Sequence, residues 1–222
     1  MKLRVFALAR AAALVALVAL TPSLAHPSLA LAGSMVQFTQ ESTKVAAYLA
    51  IPKGAGTHPA VIVIHEWWGL NDWVKQQADS LAARGYVALG VDLYRGKIAY
   101  EQETAHQLAS GLAEDDAVAM LRAAADWLRG REDVRAQAVG VIGWSMGGKF
   151  SIRLAATDPA IRACVMYYGA PITDPDAIGG IQAAVLGHFG GEDKGPSPDQ
   201  VKAFDAALKK AGRKAEIKIY PG

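Results

Sequence analysis

From residue 58 onward, short runs of continuous apolar residues alternate with longer stretches in which apolar positions return every three or four residues. Val61–Ile64, Tyr86–Val91, Ala138–Ile142, Ala163–Tyr168 and Ala183–Phe189 are runs of the first kind. They are short and continuously apolar, which is how strands buried on both faces read. Between them, Val74, Ala78, Leu81 and Ala82 recur at helical spacing behind a capping Asn71, and Gly85 supplies the stop. Val118, Leu121, Ala125 and Leu128 mark one face of a second helix, and a third is predicted from about Met146 to Ala156. The last helix is the clearest. Ser197-Pro198-Asp199-Gln200 sets a cap, a proline at the first helical position and a capping-box glutamine ahead of the stripe Val201, Phe204 and Leu208. Glu216–Tyr220 alternates instead, with Ile217 and Ile219 on one side and Lys218 on the other, and is predicted to lie near a sheet edge.

This strand–helix rhythm predicts an α/β fold, a mostly parallel sheet with helices on both faces and a ligand site beyond the carboxyl ends of its strands. A chain of 222 residues suffices for one such domain. The N-terminus reads differently. Lys2, Arg4 and Arg10 precede an apolar run from Ala11 to Leu20, and small residues follow at Ala25 and Ala32. That order predicts a signal peptide over residues 1–32, cleaved after Ala25 or Ala32, with 33–222 as a single exported domain, periplasmic or secreted. The run is shorter than the roughly 20 apolar residues of a spanning helix, so no stable membrane anchor is expected after cleavage. Removing those three basic residues from the 23 in the chain leaves 20 against 21 acidic ones. So balanced a charge gives no reason to expect a nucleic-acid partner. Cys164 is the only cysteine, which excludes an intramolecular disulfide.

Chemistry concentrates at Gly143-Trp144-Ser145-Met146-Gly147. An apolar strand precedes the pentapeptide and a helix follows it, the context of a nucleophile elbow that lifts a serine hydroxyl above the sheet. Gly143 and Gly148-Lys149 also match a phosphate loop, but Phe150 stands where a magnesium-binding hydroxyl is required. Lys149 is therefore expected to be an exposed lysine. His65-Glu66 lacks the second histidine of a zinc helix, since position 69 is glycine. Neither a metal nor a cofactor is expected. The backbone N–H of Met146 and one from the Glu66–Leu70 turn can instead form an oxyanion hole, each donor being worth roughly 2.7–4 kcal/mol. One of Trp67 and Trp68 is expected to line a pocket. Asp193, in the Gly-rich loop after a strand and later than the serine, fits the place of the acid, with Glu192 its rival. His188 precedes the acid, the wrong order for a base, and is expected to be buried or to support the site from behind.

Four stretches closely resemble the dienelactone hydrolase family of α/β-hydrolases: His58–Asn71, Gly85–Tyr94, Gly143–Gly148 and Glu216–Gly222. The resemblance implies cofactor-free hydrolysis of a small ester or lactone. It also implies an active-site carboxylate at Glu66, a Trp67 N–H as the second oxyanion donor, and Arg95, Tyr94 and Trp68 at the substrate. Two positions depart from the family. Its founding enzymes have cysteine where this chain has Ser145, and their substrate-binding arginine lies one residue later than Arg95. A general carboxylesterase or lactonase is therefore expected.

In the family a catalytic histidine and a covering helix follow the Tyr-Pro-Gly turn, and no histidine stands after Asp193 here. The expectation is an α/β-hydrolase domain lacking its last helix and its base, inactive by itself, from an active monomeric parent. The rivals are a non-catalytic member that binds a small ligand, and a serine hydrolase acting on peptides or polymers.

Overall fold

A computed structural model describes residues 33–221. The predicted signal peptide and Gly222 lie outside these residues. The chain starts as a hairpin, β1 (Ser34–Gln40) and β2 (Thr43–Ala50), and then alternates. In order come β3 (His58–Ile64), α1 (Asp72–Ala82), β4 (Val87–Val91), α2 (Gln102–Gly111), α3 (Glu114–Arg129) and β5 (Val134–Trp144). They are followed by α4 (Met146–Thr157), β6 (Ala163–Tyr167), α5 (Pro175–Gly180), β7 (Ala184–Gly190), α6 (Pro198–Lys210) and β8 (Ala215–Tyr220). The eight strands form one sheet in the order β1-β2-β4-β3-β5-β6-β7-β8. Only β2 runs against its neighbours; from β4 to β8 every pairing is parallel.

The predicted local signals are the ones that shape the helices. Asn71 Oδ1 accepts the Val74 N–H at the start of α1, Gly85 takes a left-handed φ just beyond it, and the Ser197–Gln200 capping box is formed in both directions. The apolar stripes of α3, α4 and α6 pack on one face of the sheet as the larger core, around Ile62, Ile64, Leu89, Val141 and Met166. α1 covers the other face, through Val74, Ala78 and Ala82 against Val63, Ala88 and Trp144. As expected from its alternation, β8 is an edge strand; Ile217 packs toward the core and Ile219 is exposed. Among the described residues, no helix is long and apolar enough to cross a membrane.

On the α1 face an aromatic ladder crosses the strand ends. Trp73 meets Trp144 edge-on at 4.9 Å, and Trp144, Tyr167, His188 and Tyr220 then stack in turn at 5.7, 4.6 and 5.8 Å. His188 is thus half-buried in this stack rather than fully enclosed, with Nδ1 2.7 Å from the Tyr220 hydroxyl.

Cys164 sits in β6 with no exposed surface, and burial pushes its thiol up to about 12. Because the thiolate is the reactive species, the native protein should give no titre with an aromatic disulfide reagent. The denatured chain should give one thiol. A stoichiometric native reaction would contradict the packing.

Candidate active site

Register brings the chemistry to one level. Ile64 at the end of β3 lies opposite Val91 of β4 and Gly143 of β5, and Trp144 lies opposite Tyr167, which lies opposite His188. The loops leaving β3, β4, β5, β6 and β7 therefore converge above one end of the sheet. That end carries the carboxyl termini of the parallel strands, where α/β sheets bind ligands.

Ser145 occupies the turn between β5 and α4 at φ 53° and ψ −116°. A non-glycine residue rarely adopts such a backbone, and strain of this kind costs on the order of 1–3 kcal/mol. The surroundings enforce it. The Ser145 N–H donates to the Tyr167 carbonyl at 2.9 Å, and the Ser145 carbonyl accepts the Lys149 N–H at 3.1 Å as α4 begins. The glycines make room: a Cβ on Gly143 would strike the Gly147 carbonyl, and one on Gly147 would strike the carbonyls of Ile64 and His65. The first N–H groups of α4 have no partner within the helix and carry its positive dipole end. Met146, immediately after the serine, heads that helix.

Ser145 opens into a cavity of about 380 Å³ whose walls include Trp67, Leu112, Met146, Lys149, Tyr168 and Gly195. Of the two candidate tryptophans, Trp67 lines the cavity; Trp68 packs against it edge-on at 5.1 Å. Lys149 differs from the expected free surface lysine. It forms part of the wall, and its ammonium lies 2.6 Å from Glu114, which also binds Arg153. Tyr168 had no sequence signal. It takes φ 41° at the end of β6 and donates its hydroxyl to Glu66 at 3.4 Å.

Burial holds the Glu66 carboxyl above its ordinary value, and the Tyr168 hydrogen bond offsets part of that. A carboxylic acid raised in the folded state binds its proton more tightly there than when unfolded. Its contribution to stability is complete below the unfolded value and is lost as pH rises through the folded one. Glu66→Gln, which stays neutral, should therefore gain stability over the natural chain as pH rises above about 4, the ordinary glutamate value. The difference should vanish at the acid end. Urea midpoints at several pH values check this, and a pH-independent difference would contradict it.

Asp193 lies in the loop after β7, where its Oδ1 accepts the N–H of Gly195, a residue of the cavity wall. Glu192 beside it is exposed. Tyr94 is buried under the site and donates its hydroxyl to the Met146 sulfur at 3.3 Å; burial pushes that phenol up to about 12. Arg95 is not brought to Ser145. Its guanidinium pairs with Asp116 at 3.1 Å and lines an adjoining cavity of about 320 Å³. Asp92, directly after β4, is buried and accepts the N–H groups of Tyr94 and Gly96. Its role is to hold a turn. Among the described residues, no three His, Cys, Asp or Glu side chains group as a metal site, and no histidine lines the Ser145 cavity.

A serine on a strained turn between a parallel strand and a helix, below a cavity at the strand ends, defines an α/β-hydrolase. The dienelactone hydrolase family model matches residues 45–222, and the chain belongs to that family. Protein usf of Aquifex pyrophilus is 35% identical over 86% of this chain and 84% of its own length. A putative carboxymethylenebutenolidase of Aquifex aeolicus is 29% identical over the same shares. Among solved structures, a putative dienelactone hydrolase from Klebsiella pneumoniae superposes with a TM-score of 0.78 at 28% identity, covering 85% of each chain.

Proposed function

We propose that the protein hydrolyses small carboxylic esters or lactones through an acyl-enzyme on Ser145. The observation that carries this reading is the Ser145 backbone, held in a costly conformation that presents the hydroxyl to a cavity. In the proposed sequence Ser145 attacks the carbonyl carbon, and the N–H groups of Met146 and Trp67 receive the developing oxyanion. Asp193 orients the imidazole that takes the serine proton and returns it to the leaving oxygen, and water then releases the acid. Glu66 and Tyr168 border the attacked face, and Trp68 buttresses the Trp67 wall. Tyr94 supports Met146 from below, and Arg95, in the adjoining cavity, would meet only a substrate that extends past Leu112. The protein is proposed to act as an exported monomer without a cofactor.

The mechanism needs an imidazole between Asp193 and Ser145, and the described residues place none in the cavity. The alternative reading is a family member that binds a small ester or acid in the same cavity without turning it over. Fluorophosphonate labelling of the signal-free protein with added imidazole separates the two. The hydrolase reading expects labelling that rises with imidazole and is absent in Ser145→Ala. A folded protein that stays unlabelled at every imidazole concentration leaves the binding reading in its place.

A further inference from the structure

His65 directly follows β3, has no exposed surface, and takes no part in the proposed chemistry. Both of its ring nitrogens are nevertheless engaged by the main chain. Nδ1 lies 2.5 Å from the Glu66 carbonyl oxygen, and Nε2 lies 3.2 Å from the Leu93 nitrogen. A carbonyl can only accept and a backbone N–H can only donate. The two contacts together therefore permit one protonation state: neutral, with the proton on Nδ1. Burial acts in the same direction, lowering the affinity of the ring for a second proton. The ring also packs on Tyr94 at 4.8 Å, whose hydroxyl meets the Met146 sulfur. One side chain thus ties the loop after β3 to the loop after β4 and, through Tyr94, to the start of α4.

The Glu66 carbonyl belongs to the same planar peptide unit as the Trp67 N–H. That bond is trans, the only cis peptide among the described residues being Gly195-Pro196. In a trans unit the C=O and N–H point in opposite directions. A carbonyl drawn inward onto buried His65 therefore turns the Trp67 N–H away from the core, on a residue that lines the Ser145 cavity. Among the described residues that N–H donates to no backbone carbonyl. Accepting from His65, and from Gly69 at 3.3 Å, also polarises the peptide unit and strengthens its N–H as a donor.

We propose that His65 is a positioning residue, which aims and polarises the Trp67 N–H as an oxyanion donor by holding the Glu66 carbonyl from behind. This rests on the oxyanion-hole reading given above. It assigns the histidine of the His-Glu pair to the transition state by way of one peptide bond, without contact with the substrate.

The test has one arm that needs no turnover. In ¹⁵N-labelled native protein, the His65 ring should show a protonated Nδ1 and an unprotonated Nε2 across the stable pH range. His65→Leu removes the donor, whereas His65→Asn keeps an N–H near the Nδ1 position. The Trp67 amide proton should move upfield in the Leu variant and stay near its native position in the Asn variant. In the kinetic arm, p-nitrophenyl acetate hydrolysis with imidazole should lose about 10²-fold in kcat in the Leu variant, the lower range for a lost oxyanion donor. KM should stay within about threefold, because the donor acts on the transition state, and Asn should restore most of kcat. A proton on Nε2 in the native protein overturns the proposal even if neither variant folds. So does equal loss in Leu and Asn, or a change confined to KM. If native protein turns nothing over while the ring and amide signals behave as stated, the hydrolase reading fails and the clamp on the Trp67 peptide stands.

Discussion

Ser145→Gly is expected to be more stable than the natural chain by about 1 kcal/mol and to lose covalent labelling completely. The backbone at this residue, φ 53° and ψ −116°, costs a side-chain-bearing residue on the order of 1–3 kcal/mol. Glycine adopts it without a Cβ clash. Against that relief stands the greater freedom of glycine in the unfolded chain, about 0.5–1 kcal/mol. The balance favours the variant. Ser145→Ala removes the same hydroxyl but retains the Cβ and so the strain, and it should melt near the natural protein. The pair isolates the energy stored at the turn from the chemistry of the oxygen. A Ser145→Gly protein no more stable than Ser145→Ala would show that the turn is relaxed, and would remove the observation on which the nucleophile assignment stands.

Gly147→Val is expected to leave no stably folded protein, and Gly147→Ala to lose about 3 kcal/mol or more. A Cβ at this position would run into the carbonyls of Ile64 and His65. Neither can yield: Ile64 is fully buried in the sheet's middle, hydrogen-bonded strands on both sides. The start of α4 would have to lift from β3, taking Ser145 and Met146 with it. Gly179 is the control, because a Cβ there meets nothing within 4 Å, and Gly179→Ala should shift the urea midpoint very little. A well-folded Gly147→Val protein would mean that α4 does not lie against β3 as described.

What could be read from the sequence was whatever burial writes into it. The strands from β3 to β7 each carry a short apolar run because the middle of the sheet is covered, and α1, α3, α4 and α6 carry stripes because each lies on a core. The β1–β2 hairpin carried no comparable signal. β1 is an edge strand with only Phe38 buried, and its turn uses Glu41 at positive φ where glycine would have announced it. α2 buries only Ala105 and has no side-chain cap. α5 did have a readable start, Asp174-Pro175, with the Asp174 side chain accepting the Asp176 N–H, but its six residues are too few for a stripe. At the site, Ser145 was legible because a turn of this shape demands glycines at fixed offsets. Partnerships across the fold were not. Tyr168 meets Glu66 across 102 residues, His65 meets Leu93 across 28, and Arg95 turns to Asp116 on α3. No local pattern encodes such meetings.

The strand order also sets a timetable. β3 lies between β4 and β5, yet β5 starts at Val134, 70 residues after Ile64 ends β3. At a synthesis rate of about 5–20 residues per second, β3 leaves the ribosome on the order of 4–14 s before its second neighbour exists. During that interval one edge of the most apolar part of the sheet is unpaired, a template for association with other nascent chains. The nucleophile turn closes only after this gap is filled, because Ser145 directly follows β5. When the signal-free chain is made in the cytoplasm, slowing translation between residues 92 and 133 should therefore cost soluble yield, and a chaperone that shields extended apolar segments should restore it.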